Sequence, residues 1–90
     1  MRTQRVTAAD LHAGRIRIPH ETKLLFPRDG EYVDILLRGQ AMNVRWDPRM
    51  GPDQERSGVL LIGRRVLPDL VSPDEVLHVQ GGGIGPIRID

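Results

Sequence analysis

Hydrophobic and polar positions alternate with a period of two in three stretches of this 90-residue chain. Successive side chains of a strand point to opposite faces. Arg15-Ile16-Arg17-Ile18 therefore sends two isoleucines to a core and two arginines outward together. Pro19 stops this strand, because it has no N–H to donate and fixes its own φ. It also suits an early position of a short helix. Lys23, Leu24, Leu25 and Phe26 continue that helix, and Pro27 closes it. Arg28-Asp29-Gly30-Glu31 reads as a turn. Tyr32 to Leu37 alternates next, with Val33, Ile35 and Leu37 on one face. After a turn at Arg38-Gly39-Gln40, Ala41 to Trp46 puts Met42, Val44 and Trp46 on one side and Asn43 and Arg45 on the other. The two runs make a hairpin.

The remaining stretches are shorter. Residues 3–7 have the composition of a first strand, and Thr7 is placed as the N-cap of a helical turn through Ala8-Ala9-Asp10-Leu11 that Gly14 ends. Asp47 to Gly58 is a polar loop with two prolines and two glycines. Val59 to Ile62 reads as a central strand. Arg64 to Leu70 holds a single helical turn around Pro68, Pro73-Asp74 forms a turn, and Glu75 to Val79 reads as the last strand. Residues 81–90 are too glycine-rich at their start to be core and read as a tail or linker. Ile87 to Asp90 is left between an added strand and the start of something larger. Short strands at intervals of roughly ten residues suggest a small barrel or sandwich. One domain over residues 1–80 is expected, followed by the 81–90 tail.

Composition narrows the class without naming a chemistry. Ninety residues support one modest core. There is no cysteine, so neither disulfides nor thiolate metal sites add to it. No apolar run approaches the roughly 18 residues of a membrane span. The N-terminal Met1-Arg2-Thr3-Gln4-Arg5 leads into no apolar signal segment. A cytoplasmic protein with no membrane partner is the expectation. The net charge of +1 says little as a total, but it is unevenly spread. Residues 1–28 hold Arg2, Arg5, Arg15, Arg17, Lys23 and Arg28 against Asp10 and Glu21, whereas the chain from Val66 onward is acidic. Twelve of the thirteen basic residues are arginine. A GC-rich coding bias would produce the same excess; the asymmetry is the better sign of an anionic partner.

No catalytic constellation emerges. His12, His20 and His78 have no metal-type spacing. Ser57 and Ser72 lack a nucleophile-elbow context. Asp74 and Glu75 are adjacent, so in extended chain they face opposite ways. The Gly81–Gly85 stretch lacks the strand, Lys and helix of a phosphate loop. No enzyme activity, metal or cofactor is expected. Two basic segments stand out instead: His12 to Arg17 with Lys23 nearby, and Arg45 to Ser57 beside Trp46. They also read as ordinary solvated loops. As functional elements they read as two arms along a duplex, since Arg matches guanine, Asn or Gln matches adenine, and Asp accepts from cytosine.

Two motifs are familiar. Val6-Thr7-Ala8-Ala9-Asp10-Leu11, then Gly14-Arg15-Ile16-Arg17-Ile18-Pro19-His20, then Leu25-Phe26-Pro27, resembles the opening of plant B3 DNA-binding domains. Leu67 to Val71 and Ser72-Pro73-Asp74-Glu75-Val76 resemble the family's second helix and closing turn. The resemblance covers roughly residues 5–80. The texture, poor in lysine and aromatics, is more similar to the bacterial branch, which serves as the recognition domain of restriction endonucleases. The resemblance implies a mainly β fold, an open seven-stranded β-barrel (a DNA-binding pseudobarrel) with one or two short helices. It implies sequence-specific double-stranded DNA binding through an N-arm and a C-arm in the major groove, with any nuclease or effector in another domain or chain. His12, Gly14, Arg15 and Arg17 match the N-arm. Arg45, Asp47, Arg49, Gln54 and Arg56 match the C-arm, whose loop departs from the family in length. Lys23, Asn43 and Trp46 join them as neighbouring candidates. Gly14 to Pro19 is also similar to the signature of AbrB-type swapped-hairpin regulators and antitoxins, which would leave residues 55–80 unexplained. A β-barrel module that binds protein rather than DNA is the alternative of a different class.

Overall fold

The computed structural model describes residues 1–50, 56–81 and 84–90. Thr7 opens helix α1, Ala8–Ala13, through a capping box. Its hydroxyl accepts from the Asp10 N–H, and the Asp10 carboxylate accepts from the Thr7 N–H. Gly14 ends the helix at φ 72°, where the left-handed backbone favours glycine. A side chain there would also run into the Gly63–Arg64 backbone. Strand β1, Arg15–Ile18, follows with Ile16 and Ile18 fully buried.

The segment after Pro19 is a 3₁₀ turn, Thr22–Leu25, and not an α-helix starting at the proline. Pro19 stands before it and lends its carbonyl to the N–H groups of Thr22 and Lys23. The hairpin comprises β2, Glu31–Leu37, and β3, Gln40–Asp47, joined by Arg38 and Gly39, both at positive φ. Its inward residues Val33, Ile35, Leu37, Val44 and Trp46 are buried, as the alternation predicts. Strand β4, Gly58–Leu61, lies between β1 and β3. Helix α2, Leu67–Leu70, is the single turn expected around Pro68.

Two expectations are corrected. Glu75 to Val79 is not a full strand; only Val79–Gln80 forms β5. Residues 3–7 form no ladder strand either. The two segments run antiparallel and exchange irregular bonds: Thr3 N–H to the Leu77 carbonyl, Val6 N–H to the Glu75 carbonyl, and Leu77 N–H to the Thr3 hydroxyl. Side-chain oxygens and bends interrupt the ladder there. Of the two readings of Ile87 to Asp90, the added strand is the one observed. Ile87–Ile89 is β6, parallel to β2 and antiparallel to β5, with Ile87 and Ile89 buried.

The strand order is β1-β4-β3-β2-β6-β5. The described residues thus form a curled, open half-barrel of six strands with two short α-helices; a seventh strand is not seen among them. Residues 1–6 span the gap between its edges, since Gln4 N–H also reaches the Arg17 carbonyl of β1. The core runs through the barrel, with Trp46 stacked on Phe26 at 4.5 Å. The indole N–H donates to the Pro27 carbonyl at 2.8 Å. The ring covers Gly58 so closely that a Cβ there would overlap it.

Candidate nucleic-acid interface

The sheet register decides which outward side chains become neighbours. Arg15 of β1 pairs with Leu61 of β4, and Leu61 pairs with Arg45 of β3. One row across the outside of the barrel therefore reads Arg15, Leu61, Arg45, Tyr32. The next row reads Arg17, Val59, Asp47. Neighbouring strands are about 4.8 Å apart, so Arg15 and Arg45 start roughly 10 Å apart with Leu61 between them. Ala13, Arg15, Arg45, Asp47, Arg49, Val59 and Leu61 enclose a shallow groove of about 490 Å³. The proposed N-arm and C-arm thus meet on one face, although 30 residues separate Arg15 from Arg45.

Asp10 organises the N-arm side. Its carboxylate is buried, yet it accepts from the Nε of Arg15 at 2.8 Å and from the Nε of Arg17 at 3.0 Å. Burial alone would raise its pKa. Hydrogen bonds from the Thr7 backbone N–H, from Arg15 and from Arg17 outweigh that and hold the carboxyl at about 2. The two arginines are not equivalent. Arg17 also spends a terminal nitrogen on Asp10 and on the Arg5 carbonyl. Arg15 is held only through Nε, and its two terminal nitrogens have no hydrogen bond to other described residues. It is an anchored guanidinium whose fork is unspent among the described residues.

On the C-arm side Arg45 is exposed and has no hydrogen bond among the described residues. Arg49 sits at φ 52°, a conformation rare for a side chain of its size. The Asp47 carboxylate accepts its backbone N–H at 2.9 Å and supports the bend. A strained residue held by its neighbour beside a groove is a recurrent feature of functional sites.

Other candidates fall elsewhere. Trp46 is 1% exposed and belongs to the core, so it is withdrawn as a contact residue. Gly14 is buried and acts as the helix cap. Lys23 is a clip: its ammonium donates at 2.8 Å to the carbonyls of Pro48 and Arg56, the two ends of the loop. Asn43 donates to Asp34 across the hairpin and does not line the groove. His12 is exposed in the last turn of α1. Arg56 is exposed, and Gln54 lies outside the described residues.

Three further residues escaped the sequence reading. Leu61 is half exposed at the centre of the row. Arg64 and Arg65 are exposed just past β4, and the Arg64 backbone abuts Gly14. The Arg-Arg pair after an apolar run was the available signal; that it flanks Arg15 follows only from the β1–β4 pairing. No known family model, curated protein or solved structure matches this chain.

Proposed function

We propose that this domain binds double-stranded DNA through the outer face of β1, β4 and β3, and that Arg15 and Arg45 are its principal base-reading residues. The observation that carries the reading is the register that sets these two guanidinium forks, unspent among the described residues, on either side of Leu61. Arg presents two parallel donors that match the O6 and N7 acceptors of guanine in the major groove. The major groove is roughly 12 Å wide, and the two arginines, which start roughly 10 Å apart, can reach base edges within it. Arg49, Arg64 and Arg65 flank the face and suit phosphate contacts, which position a protein without specifying sequence. This is also the function that the resemblance of the opening motif to B3 domains implies. The finer architecture of that family, a seven-stranded pseudobarrel, is part of the same proposal, with residues 1–6 as the seventh element. Residues 58–79, which a swapped-hairpin regulator would leave over, supply Leu60, Leu67, Val71, Leu77 and Val79 to the core.

Arg17 is reassigned. Asp10 and Arg5 take most of its donors, so it supports the face rather than reading bases. The test is fluorescence anisotropy on duplexes selected from a randomised pool. Arg15→Ala and Arg45→Ala are each expected to weaken specific binding by about 1–3 kcal/mol, the usual worth of a bidentate base contact. Arg45→Ala should leave the melting temperature nearly unchanged, whereas Arg15→Ala also removes a hydrogen-bond partner of the buried Asp10 carboxylate and should lower it. Unaltered affinity in both variants would remove this face from the interface.

A further inference from the structure

Leu61 is 52% exposed, yet it stands at the middle of the row between Arg15 and Arg45. Val59, two residues earlier on the same outward face, continues its apolar surface into the floor of the groove. A base-reading face made only of guanidinium groups would call for polar neighbours that bond the adjacent bases. Here the neighbour is a branched alkyl group at the level of the strand. The one alkyl group a base pair offers in the major groove is the C5 methyl of a pyrimidine. Thymine carries it, and so does 5-methylcytosine.

We propose that Leu61, with Val59 behind it, receives the C5 methyl of a pyrimidine lying between the bases read by Arg15 and Arg45. This rests on the DNA-binding reading above and adds to it a specificity-determining residue and a chemical group. The spacing agrees. Two inter-strand distances, roughly 10 Å, match about three base steps of 3.4 Å, which leaves room for bases between the two arginine-read positions. Contact with a methyl group needs no hydrogen bond, which accounts for an aliphatic side chain at the centre of an otherwise polar face.

The experiment uses the full chain and changes the nucleic acid first. Duplexes are selected from two randomised pools, one with ordinary cytosine and one with 5-methylcytosine throughout. Selected duplexes from the first pool are then remade with uracil in place of each thymine in turn, which removes one methyl and nothing else. Uracil at one position between two guanine contacts is expected to weaken binding about four-fold, the scale of one buried methyl. Leu61→Ser should abolish the difference between the thymine and uracil duplexes. Enrichment only from the methylated pool would assign the methyl to 5-methylcytosine, and the same loss of discrimination in Leu61→Ser would support the proposal. Specific binding that is indifferent to every uracil and to 5-methylcytosine would overturn it and leave the DNA reading intact. So would a uracil effect that persists in Leu61→Ser. If no duplex binds at any salt concentration, both the DNA reading and this inference fall.

Discussion

Asp10 carries more structural duty than any other polar residue on the proposed face. Its carboxylate closes the α1 capping box and holds the Nε groups of Arg15 and Arg17 while almost fully buried. Its pKa lies below the unfolded value of 3.8, at about 2. A carboxyl depressed on folding stabilises the native state fully above its unfolded pKa, and that contribution is lost as pH falls through the folded one. Between pH 4 and pH 2 the domain is therefore expected to lose about 1–2 kcal/mol from this residue, allowing for the solvent around both arginine ends. Urea midpoints for wild type and Asp10→Asn, measured from pH 7 down to pH 2, check this. The variant should be less stable at pH 7, and the gap should close toward pH 2. A constant gap would mean that the charge of Asp10 is not what stabilises the α1–β1 junction.

At the scale of elements, Lys23 and β6 each make contacts that adjacent residues do not spell out. As a clip on the Pro48 and Arg56 carbonyls, Lys23 holds the two ends of the loop that follows β3. Lys23→Met should cost about 1 kcal/mol of stability, since the bonds are part-exposed, and should speed amide exchange at Arg49, Met50, Arg56 and Ser57. Unchanged exchange at those amides would return Lys23 to the list of possible DNA contacts. Strand β6 was only one of two readings of Ile87 to Asp90, because three residues, Ile-Arg-Ile, are too short to show a period, and glycines precede them. Its isoleucines nonetheless close the sheet between β2 and β5. Ile89→Ala should cost about 2–4 kcal/mol in denaturant unfolding, the usual loss for truncating a buried isoleucine; a detached tail would show no loss. Trp46 teaches the opposite lesson. The alternation already set it beside Met42 and Val44, and its nearness in sequence to arginines misled the assignment. The hairpin, the Thr7 cap and the Gly14 stop were legible because each is written in adjacent residues. The groove was not, because it depends on which strands pair.

For the whole molecule, a net charge of +1 constrains the proposed binding of DNA. A lysine-coated domain attracts any polyanion from a distance; this one has acidic and basic residues in nearly equal number. Attraction must then come from a local cluster, and the fold builds one. Arg15, Arg45 and Arg49 line the groove, and Arg64 and Arg65 follow directly after β4. The Arg38–Glu75 ion pair sits at the far turn of the hairpin, where it also meets the Leu70 carbonyl and the Ser72 N–H. That cation is spent on tying the hairpin to α2 and adds nothing to the face. On the proposed reading, the number of phosphates neutralised is therefore small. Each neutralised phosphate contributes about −0.9 to the slope of log K against log salt concentration, so three to five contacts give a slope of roughly −3 to −4.5. Anisotropy titrations of one selected duplex between low and moderate salt measure it directly. Arg64→Ala or Arg65→Ala should make the slope shallower by about one and weaken all duplexes alike, whereas Arg45→Ala should narrow the gap between selected and random duplexes. A flat salt dependence would point to a partner held by apolar contact instead. The exposed Leu24 and Met50 beside Phe26 would then be the surface to examine, since they line a second groove of about 430 Å³ on which no arginine fork of the row above converges.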